Sequence, residues 1–446
     1  MSDTAIPAPP ITSTSKLRKL ITATGIGQQS SSVRHRAREL SWVVSGKLTL
    51  MGANAVLMLL LAQIMELKLY GVLVTVISGQ LLLSNFLLLG VNAGMIRLRT
   101  LPDLRERSDE VVRAGLSVIL YATAGAALIF LVIWFISFWV PMLRWPLWVV
   151  GPIFVGAVGT ALVDYNYSYR LSELKYRAAG LLQSGTGIAR LIFTVGTAML
   201  LPAHPIFVFL AYPAMSLLSG SIATVSIPRE SWLRSDFAVL KRLLRFSLWI
   251  GASNATIILS LYLGTFVLML LRQEAETGVF GLCLTLSLGF FALYNAFGEY
   301  LLPRITQLDK PSELPKFLAR SLAGALVIVV SCLPLILAIG IIAPQLLKPE
   351  LHSMSSTFYL LAASMLVLIM QGSLECACIY LLRPHLMLIG WLARVLCALI
   401  VGLTLAPQSG ALGMAAAQLI AAVMTLFLFA VFVVFTIRAQ SKTIAY

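Results

Sequence analysis

The chain has 446 residues, of which 59% are hydrophobic and 11% are charged, and its formal net charge is +15. Its mean hydropathy of +0.92 is far from the balance of an ordinary soluble domain. This composition excludes a soluble enzyme, because apolar runs occupy nearly everything after residue 41 and leave no room for a catalytic domain.

The N-terminal segment 1–40 is polar and basic. It is rich in Ser, Thr, Pro, Gly and Gln, and Arg34, Arg36 and Arg38 form a cluster near its end. No cleavable signal pattern precedes the first apolar run. We predict a disordered cytosolic tail, which either meets anionic lipid headgroups through this cluster or is merely solvated.

Twelve apolar runs follow, each about as long as the roughly 20 residues that a helix needs to cross a bilayer. They cover residues 42–65, 69–96, 112–140, 145–168, 179–201, 206–226, 244–271, 278–302, 318–342, 355–382, 386–405 and 412–437. A membrane-spanning strand barrel would instead show short alternating segments. The sequence therefore predicts an all-α polytopic membrane protein with about 12 transmembrane helices.

The basic residues are distributed unevenly among the predicted loops. If the N-terminus is cytoplasmic, the inside segments carry 26 of the 33 Lys and Arg residues, the outside loops carry four, and three lie within spans. This asymmetry is typical of the positive-inside rule and predicts a multi-pass protein of the cytoplasmic (inner) membrane with both termini in the cytoplasm. The positive charge then needs no nucleic-acid partner.

The first span carries two polar side chains, Lys47 and Asn54, two turns apart on one helix face. We predict that Asn54 faces a polar cavity. Lys47 lies near the cytoplasmic end, so its stem could reach the headgroups or its ammonium could line the cavity. The sequence leaves both alternatives open.

The second and eighth spans share a register. Gly71 and Arg97 are 26 residues apart, as are Gly278 and Arg304, which gives an offset of 207 residues between the pairs. Six spans in each half make the repeats parallel, with a cleft between two six-helix lobes as the expected substrate site. The predicted organisation is a tail at 1–40, an N-terminal lobe at 41–227, a cytoplasmic linker at 228–243, a C-terminal lobe at 244–438 and a tail at 439–446.

An acid in one span followed by an arginine in the next occurs once in each half. Asp164 precedes Arg190, and Glu375 precedes Arg394 about two hundred residues later. An ionisable side chain at membrane depth costs about 2.5 to 3.5 kcal/mol on insertion scales. Two such pairs in corresponding places therefore suggest a function.

Arg190 lies in the middle of a polar stripe on the fifth span. Gln183, Thr186 and Thr194 recur at spacings of three and four residues, which places them on its face. We predict that this stripe faces a water-filled or substrate-filled cavity. The alternative is a structural pair between Arg190 and Asp164.

Three acids, Asp164, Glu299 and Glu375, fall in the cytoplasmic halves of their spans. They could bind a proton or a sodium ion and couple its gradient to transport. They could equally do no more than neutralise Arg190 and Arg394. The sequence does not separate these alternatives.

Catalytic signatures are not found in the sequence. It has no P-loop pattern and no arrangement of nucleophile, base and orienting group. All five cysteines lie in predicted spans without an accompanying histidine cluster, so neither a metal nor a cofactor is predicted. Transport is the function class that is left.

Two passages carry a family resemblance. Tyr70-Gly71 through Gly90 to Arg97, and Gly278-Val-Phe-Gly281 through Phe297 to Pro303-Arg304, resemble polysaccharide flippases of the Wzx type. These belong to the multidrug/oligosaccharidyl-lipid/polysaccharide (MOP) exporter superfamily, with the MATE drug exporters and the lipid II flippases. The resemblance implies two six-helix lobes in a V shape, alternating access, and a polyprenyl-diphosphate-linked oligosaccharide as cargo.

In this interpretation the cationic side chains Arg190, Arg394 and Lys47 would bind the diphosphate, since a guanidinium fork suits phosphate oxygens. The partners would be the lipid-linked oligosaccharide, membrane lipids and, in the same pathway, a polysaccharide polymerase and glycosyltransferases. A proton- or sodium-coupled small-molecule exporter is the alternative, and a non-transporting scaffold for envelope enzymes is a third hypothesis.

Overall fold

The structure is a computed structural model that describes residues 26–99, 104, 107–137, 147–201, 204–227, 236–305, 313–351, 354–381 and 385–443. Residues 228–235, half of the predicted linker 228–243, and residues 444–446 of the C-terminal tail lie outside these ranges. The side chain of Glu299 is also outside the described part. Its predicted role in ion coupling therefore stays a prediction.

Helices make up nearly all of the described chain. They are α1 (Ile26–Ile64), α2 (Leu67–Leu88), α3 (Val91–Leu98), α4 (Ser108–Ser137), α5 (Leu147–Ser172), α6 (Tyr176–Leu200), α7 (Pro205–Val225), α8 (Phe237–Leu270), α9 (Glu274–Ile305), α10 (Leu314–Leu346), α11 (Met354–Tyr380) and α12 (His385–Thr443). No strand occurs in these ranges. The predicted all-α class is confirmed.

Within the described residues, ten helices are long and apolar enough to cross a membrane. The sequence predicted twelve such spans, and the number differs at two places. Helix α6 is long enough at 25 residues, but its polar stripe lowers its apolarity, and it is not among the ten. Helix α12 joins the last two predicted runs across a break at Gly410, where φ is 53°. The chain is a multi-pass membrane protein.

Helix α1 begins at Ile26, inside the segment predicted to be disordered. The prediction is therefore wrong for residues 26–40. Arg and Glu are good helix formers. Helix α1 therefore continues from its apolar run back toward the N-terminus through Glu39, Arg38, Arg36 and Arg34. Residues 1–25 lie outside the described part of the chain.

The two halves of the chain meet mainly through α2, which packs against α8 and α9. Helix α2 stops at a kink where Leu89 and Gly90 have positive φ of 46° and 73°. The kink brings the backbone of Gly90 close to α8, since a Cβ at Gly90 would lie 2.6 Å from the amide nitrogen of Gly251. A larger side chain at either glycine would separate the halves here.

We call the end of the bundle where α1 begins the inner end and the opposite end the outer end. At the outer end the Lys348 Nζ donates to the Met65 carbonyl at 2.9 Å, and the Gln63 Nε2 donates to the Leu346 carbonyl at 2.5 Å. These bonds join α1 to the end of α10. The two halves are therefore held together at the outer end.

Candidate functional site: a cavity between the two halves

A cavity of about 500 Å³ lies between the halves, toward the inner end. Helix α2 contributes one side chain to its wall, and α8, α9, α11 and α12 contribute the others. The lining residues are Asn85, Asn254, Ile257, Ile258, Phe291, Tyr294, Asn295, Gly298, Gly372, Glu375, Cys376 and Met387. Eleven of the twelve lining residues belong to the C-terminal half and Asn85 alone belongs to the N-terminal half, so the cleft between two six-helix lobes stays a prediction.

The polar part of this wall is mostly uncharged. Asn85, Asn254 and Asn295 present amide groups, which both donate and accept hydrogen bonds. Phe291 and Tyr294 form a stacked aromatic pair with ring centroids 5.2 Å apart. Amide groups and aromatic faces can both contact a polyhydroxylated ligand.

Glu375 is the one carboxylate among the lining residues, and it is 4% exposed. The Tyr294 hydroxyl donates to its Oε2 at 2.5 Å, and the Gln371 Nε2 donates to its Oε1 at 2.6 Å. Each carboxylate oxygen therefore has a donor from the protein. These two hydrogen bonds fix the position of the carboxylate in the lining of the cavity.

Arg394 lies behind this wall and is fully buried. Its guanidinium stands over the Trp391 ring at 5.3 Å and interacts electrostatically with Glu375 and Tyr294. All three guanidinium nitrogens lack a hydrogen-bond partner among the described residues. Arg394 and Glu375 are brought together, but Arg394 does not line the cavity.

Arg190 occupies a corresponding interior position in the N-terminal half and is 3% exposed. It donates to the Thr160 hydroxyl at 3.0 Å and stands over the Tyr212 ring at 4.9 Å. The Thr160 hydroxyl also accepts from Gln80 Nε2 at 2.8 Å. Arg190 is thus part of a buried polar cluster that joins α2, α5, α6 and α7.

Asp164, the acid predicted to accompany Arg190, interacts electrostatically with both Arg190 and Lys47. It is half-buried, whereas Lys47 is exposed on α1. In each half, the acid and the arginine of the motif are therefore close enough to interact electrostatically.

The other predicted cavity residues lie mostly inside the N-terminal half. Gln183, Thr186 and Thr194 are all buried on α6, and Asn54 is half-buried on α1 with no partner for its side-chain oxygen within the described structure. They do not line the cavity between the halves. Thr186 instead lines a second cavity between α5, α6 and α7.

Sequence reasoning missed Asn254 and Tyr294. Asn254 is a lone amide in an apolar span, which is a signal that could have been used. Tyr294 gains its role from a contact with Glu375, 81 positions away in the chain, and no local pattern shows that. Both residues depend on how α8, α9 and α11 pack together.

The family model described as "Polysaccharide biosynthesis protein" matches residues 37–309, which is more than half of the chain. The chain belongs to this family. A comparison with curated proteins finds no match.

Solved structures show the same fold. A MATE family multidrug resistance transporter of the MOP superfamily, in an inward-facing conformation, is 14% identical with a TM-score of 0.65, covering 91% of this chain and 99% of its own. The lipid II flippase MurJ, in an inward closed conformation, is 11% identical with a TM-score of 0.63, covering 87% and 86%. The eukaryotic MATE transporter AtDTX14 is 11% identical with a TM-score of 0.57, covering 92% of this chain and 99% of its own.

The chain thus has the fold of these transporter and flippase structures. The particular protein is a member of the polysaccharide biosynthesis family. The resemblance seen in the sequence is confirmed at this level.

Proposed function

We propose that this protein translocates a polyprenyl-diphosphate-linked oligosaccharide across the cytoplasmic membrane by alternating access, for the synthesis of a surface polysaccharide. The observation that carries the proposal is the cluster of amide groups and aromatic rings in the lining of the cavity between the halves. Membership of the polysaccharide biosynthesis family supports it. Both termini would lie in the cytoplasm. Glycosyltransferases would act before this step, and a polysaccharide polymerase would act after it.

The sugars would occupy the cavity. Their hydroxyl groups need partners that both donate and accept, which Asn85, Asn254 and Asn295 supply. Their apolar faces can lie on the Phe291 and Tyr294 rings. The cavity of about 500 Å³ is within the range of small-ligand sites and would hold a few sugar rings.

The diphosphate would be bound by Arg190, Arg394 and Lys47 in another conformation. Arg394 is separated from the cavity by Glu375 and Tyr294 and has no hydrogen-bond acceptor of its own in the described structure. Movement of the Glu375 side chain would open a path to this guanidinium. An anion could then replace the carboxylate as its partner.

The test is the sidedness of polyprenyl-diphosphate oligosaccharide in membranes from cells that carry wild-type protein, no protein, or cavity variants. We expect Asn254→Leu and Asn295→Leu to leave the lipid-linked sugar on the inner leaflet, as loss of the protein does. Asn92→Leu is the control, because this half-buried amide on α3 does not line the cavity. Normal sidedness without the protein would contradict the proposal.

One observation favours ion-coupled export of small molecules as a second candidate. A carboxylate, Glu375, lies on the wall of the cavity. Increased sensitivity to cationic drugs on loss of the protein, with intact surface glycan, would support this candidate. A change confined to glycan export would contradict it.

A further inference from the structure

The second cavity is a groove of about 670 Å³ on the flank of the N-terminal half. Helices α5, α6 and α7 form it near the inner end. Its apolar rim is open to the outside of the bundle, because Leu181 is 52% exposed and Ile222 is 64% exposed. In a membrane such side chains face lipid, so the groove opens sideways into the bilayer.

The depth of the groove matches one leaflet. It begins at Lys175, before the first turn of α6, and reaches Gly185 and Thr186. Ten residues of helix rise about 15 Å, which is about half of the roughly 30 Å hydrocarbon core. The groove therefore runs from the inner membrane surface to about the middle of the bilayer.

Cationic groups stand at the membrane-surface end of the groove. Arg170 donates to the Ala178 carbonyl at 3.2 Å and to the Ser226 hydroxyl at 3.3 Å, which fixes its guanidinium between the three helices. Lys175 contributes a second cation, which is 65% exposed. The guanidinium keeps donors that a phosphate could use.

Glu173, the carboxylate in the groove lining, is already neutralised by neighbouring cations. Lys175 lies 2.8 Å from it and Arg99 lies 3.7 Å from it. Burial raises the pKa of Glu173, but the hydrogen bonds from Lys175 and Tyr169, together with the positive charges of Lys175 and Arg99, outweigh burial and leave the pKa below its ordinary value. Three cationic side chains, Arg99, Arg170 and Lys175, surround the single carboxylate of Glu173. This end of the groove therefore carries a net positive charge.

We propose that this groove is a binding site for an anionic phospholipid of the inner leaflet, with the phosphate at Arg170 and Lys175 and an acyl chain along α6 as far as Gly185. The groove has no lining residue and no lining helix in common with the cavity between the halves. A cargo lipid in the groove could not place its sugars in that cavity. The occupant is therefore a resident lipid rather than the transported one, and the inference does not depend on the proposed function.

Gly185 offers a way to fill the groove without disturbing the fold. A Cβ at this position would meet nothing within 4 Å, and the same is true of Gly196 on the same helix. Replacing a glycine within a helix by leucine also favours the helix. Gly185→Leu would therefore block the groove, and Gly196→Leu is its matched control.

The experiment is native mass spectrometry of the purified full-length protein after exchange into mixed phosphatidylglycerol and phosphatidylcholine nanodiscs. We expect wild type and Gly196→Leu to retain phosphatidylglycerol, and Gly185→Leu to lose most of it. Lys175→Gln should weaken retention severalfold, whereas Lys316→Gln, an exposed lysine on α10, should not. Equal retention by Gly185→Leu and wild type, equal retention of both lipids, or displacement by a stoichiometric amount of polyprenyl diphosphate would each overturn the proposal.

Discussion

Gly71 of α2 packs directly against α9 beside Gly278, and a Cβ at Gly71 would lie 3.0 Å from the Gly278 amide nitrogen. These two glycines are 207 residues apart and occupy the same register in the two halves of the sequence. Equivalent residues of a repeat meet where the axis relating the repeats passes between them. The beginnings of the two passages that carry the family resemblance, at Gly71 and Gly278, thus pack together at the outer end.

Gly278→Leu should open the outer end. A Cβ at this position would already lie 3.0 Å from the Leu67 carbonyl and 3.1 Å from the Tyr70 ring, so a leucine would force α2 and α9 apart. We expect a severalfold increase in labelling of Asn295→Cys, in a cysteine-free background, by a membrane-impermeant maleimide added outside. Gly289→Leu on the same helix is the control, because a Cβ there meets nothing within 4 Å, and equal labelling of the two variants would contradict the prediction.

Tyr294→Phe should destabilise the C-terminal half. The variant removes the hydroxyl that donates to Glu375 and leaves one carboxylate oxygen without that donor. Hydrogen bonds to charged groups contribute about 1.5 to 3 kcal/mol, so a lower thermal unfolding temperature and reduced glycan export are expected. Tyr300→Phe is the control on the same helix, since this side chain is 52% exposed and its ring stacks on Arg304. A drop in stability of the same size in Tyr300→Phe would contradict the assigned role.

Thr160→Val should weaken the N-terminal half. Valine nearly matches threonine in shape but provides no acceptor for Gln80 and Arg190, which both donate to this hydroxyl. Leaving a buried donor unsatisfied costs about 1 to 3 kcal/mol. Thr404→Val is the comparison, because the hydroxyl of this exposed residue bonds to Val401 of its own helix. Urea titration in detergent measures the difference, and similar midpoints for the two variants would refute it.

Arg394→Gln should reduce yield sharply, because it leaves the buried Glu375 carboxylate without its neighbouring cation. Breaking a buried charge pair costs about 3 to 5 kcal/mol, whereas replacing both members is often nearly neutral. The double variant Glu375→Gln with Arg394→Gln should therefore regain the yield. If Arg394 also binds the diphosphate, the double variant should fold and still fail to export glycan. Full export by the folded double variant would limit Arg394 to a structural role.

The sequence was sufficient to predict the class, the apolar runs and the two acid and arginine motifs, because these depend on composition and local spacing. It was not sufficient to predict which side chains line the cavity. The cost of burying Arg190 and Arg394 suggested cavity positions, but Thr160 and the aromatic rings of Tyr212 and Trp391 accommodate them in the protein interior instead. Contacts between helices far apart in the sequence decide that outcome.

The two halves are also joined at the inner end, where Arg107 and Asp236 form an ion pair at 2.6 Å. Asp236 caps α8 by accepting from the Ala238 amide at 2.9 Å. That backbone hydrogen bond, and then Arg107, hold the pKa of Asp236 below its ordinary value. The contribution of this carboxylate to stability is therefore complete above the ordinary aspartate pKa of about 3.9 and is lost as the pH falls through the lower folded value.

Asp236→Asn should remove this acid dependence. Both groups of the ion pair are partly exposed, so the effect on unfolding temperature should be small and should shrink further at high salt. The measurement is the unfolding temperature of wild type, Asp236→Asn and Arg107→Gln between about pH 3 and pH 6, at low and high ionic strength. Wild type should lose stability faster than Asp236→Asn on acidification, because only wild type has a carboxylate to protonate at this position. Parallel curves for the two proteins would show that the ion pair and cap contribute nothing measurable to the joint between the halves.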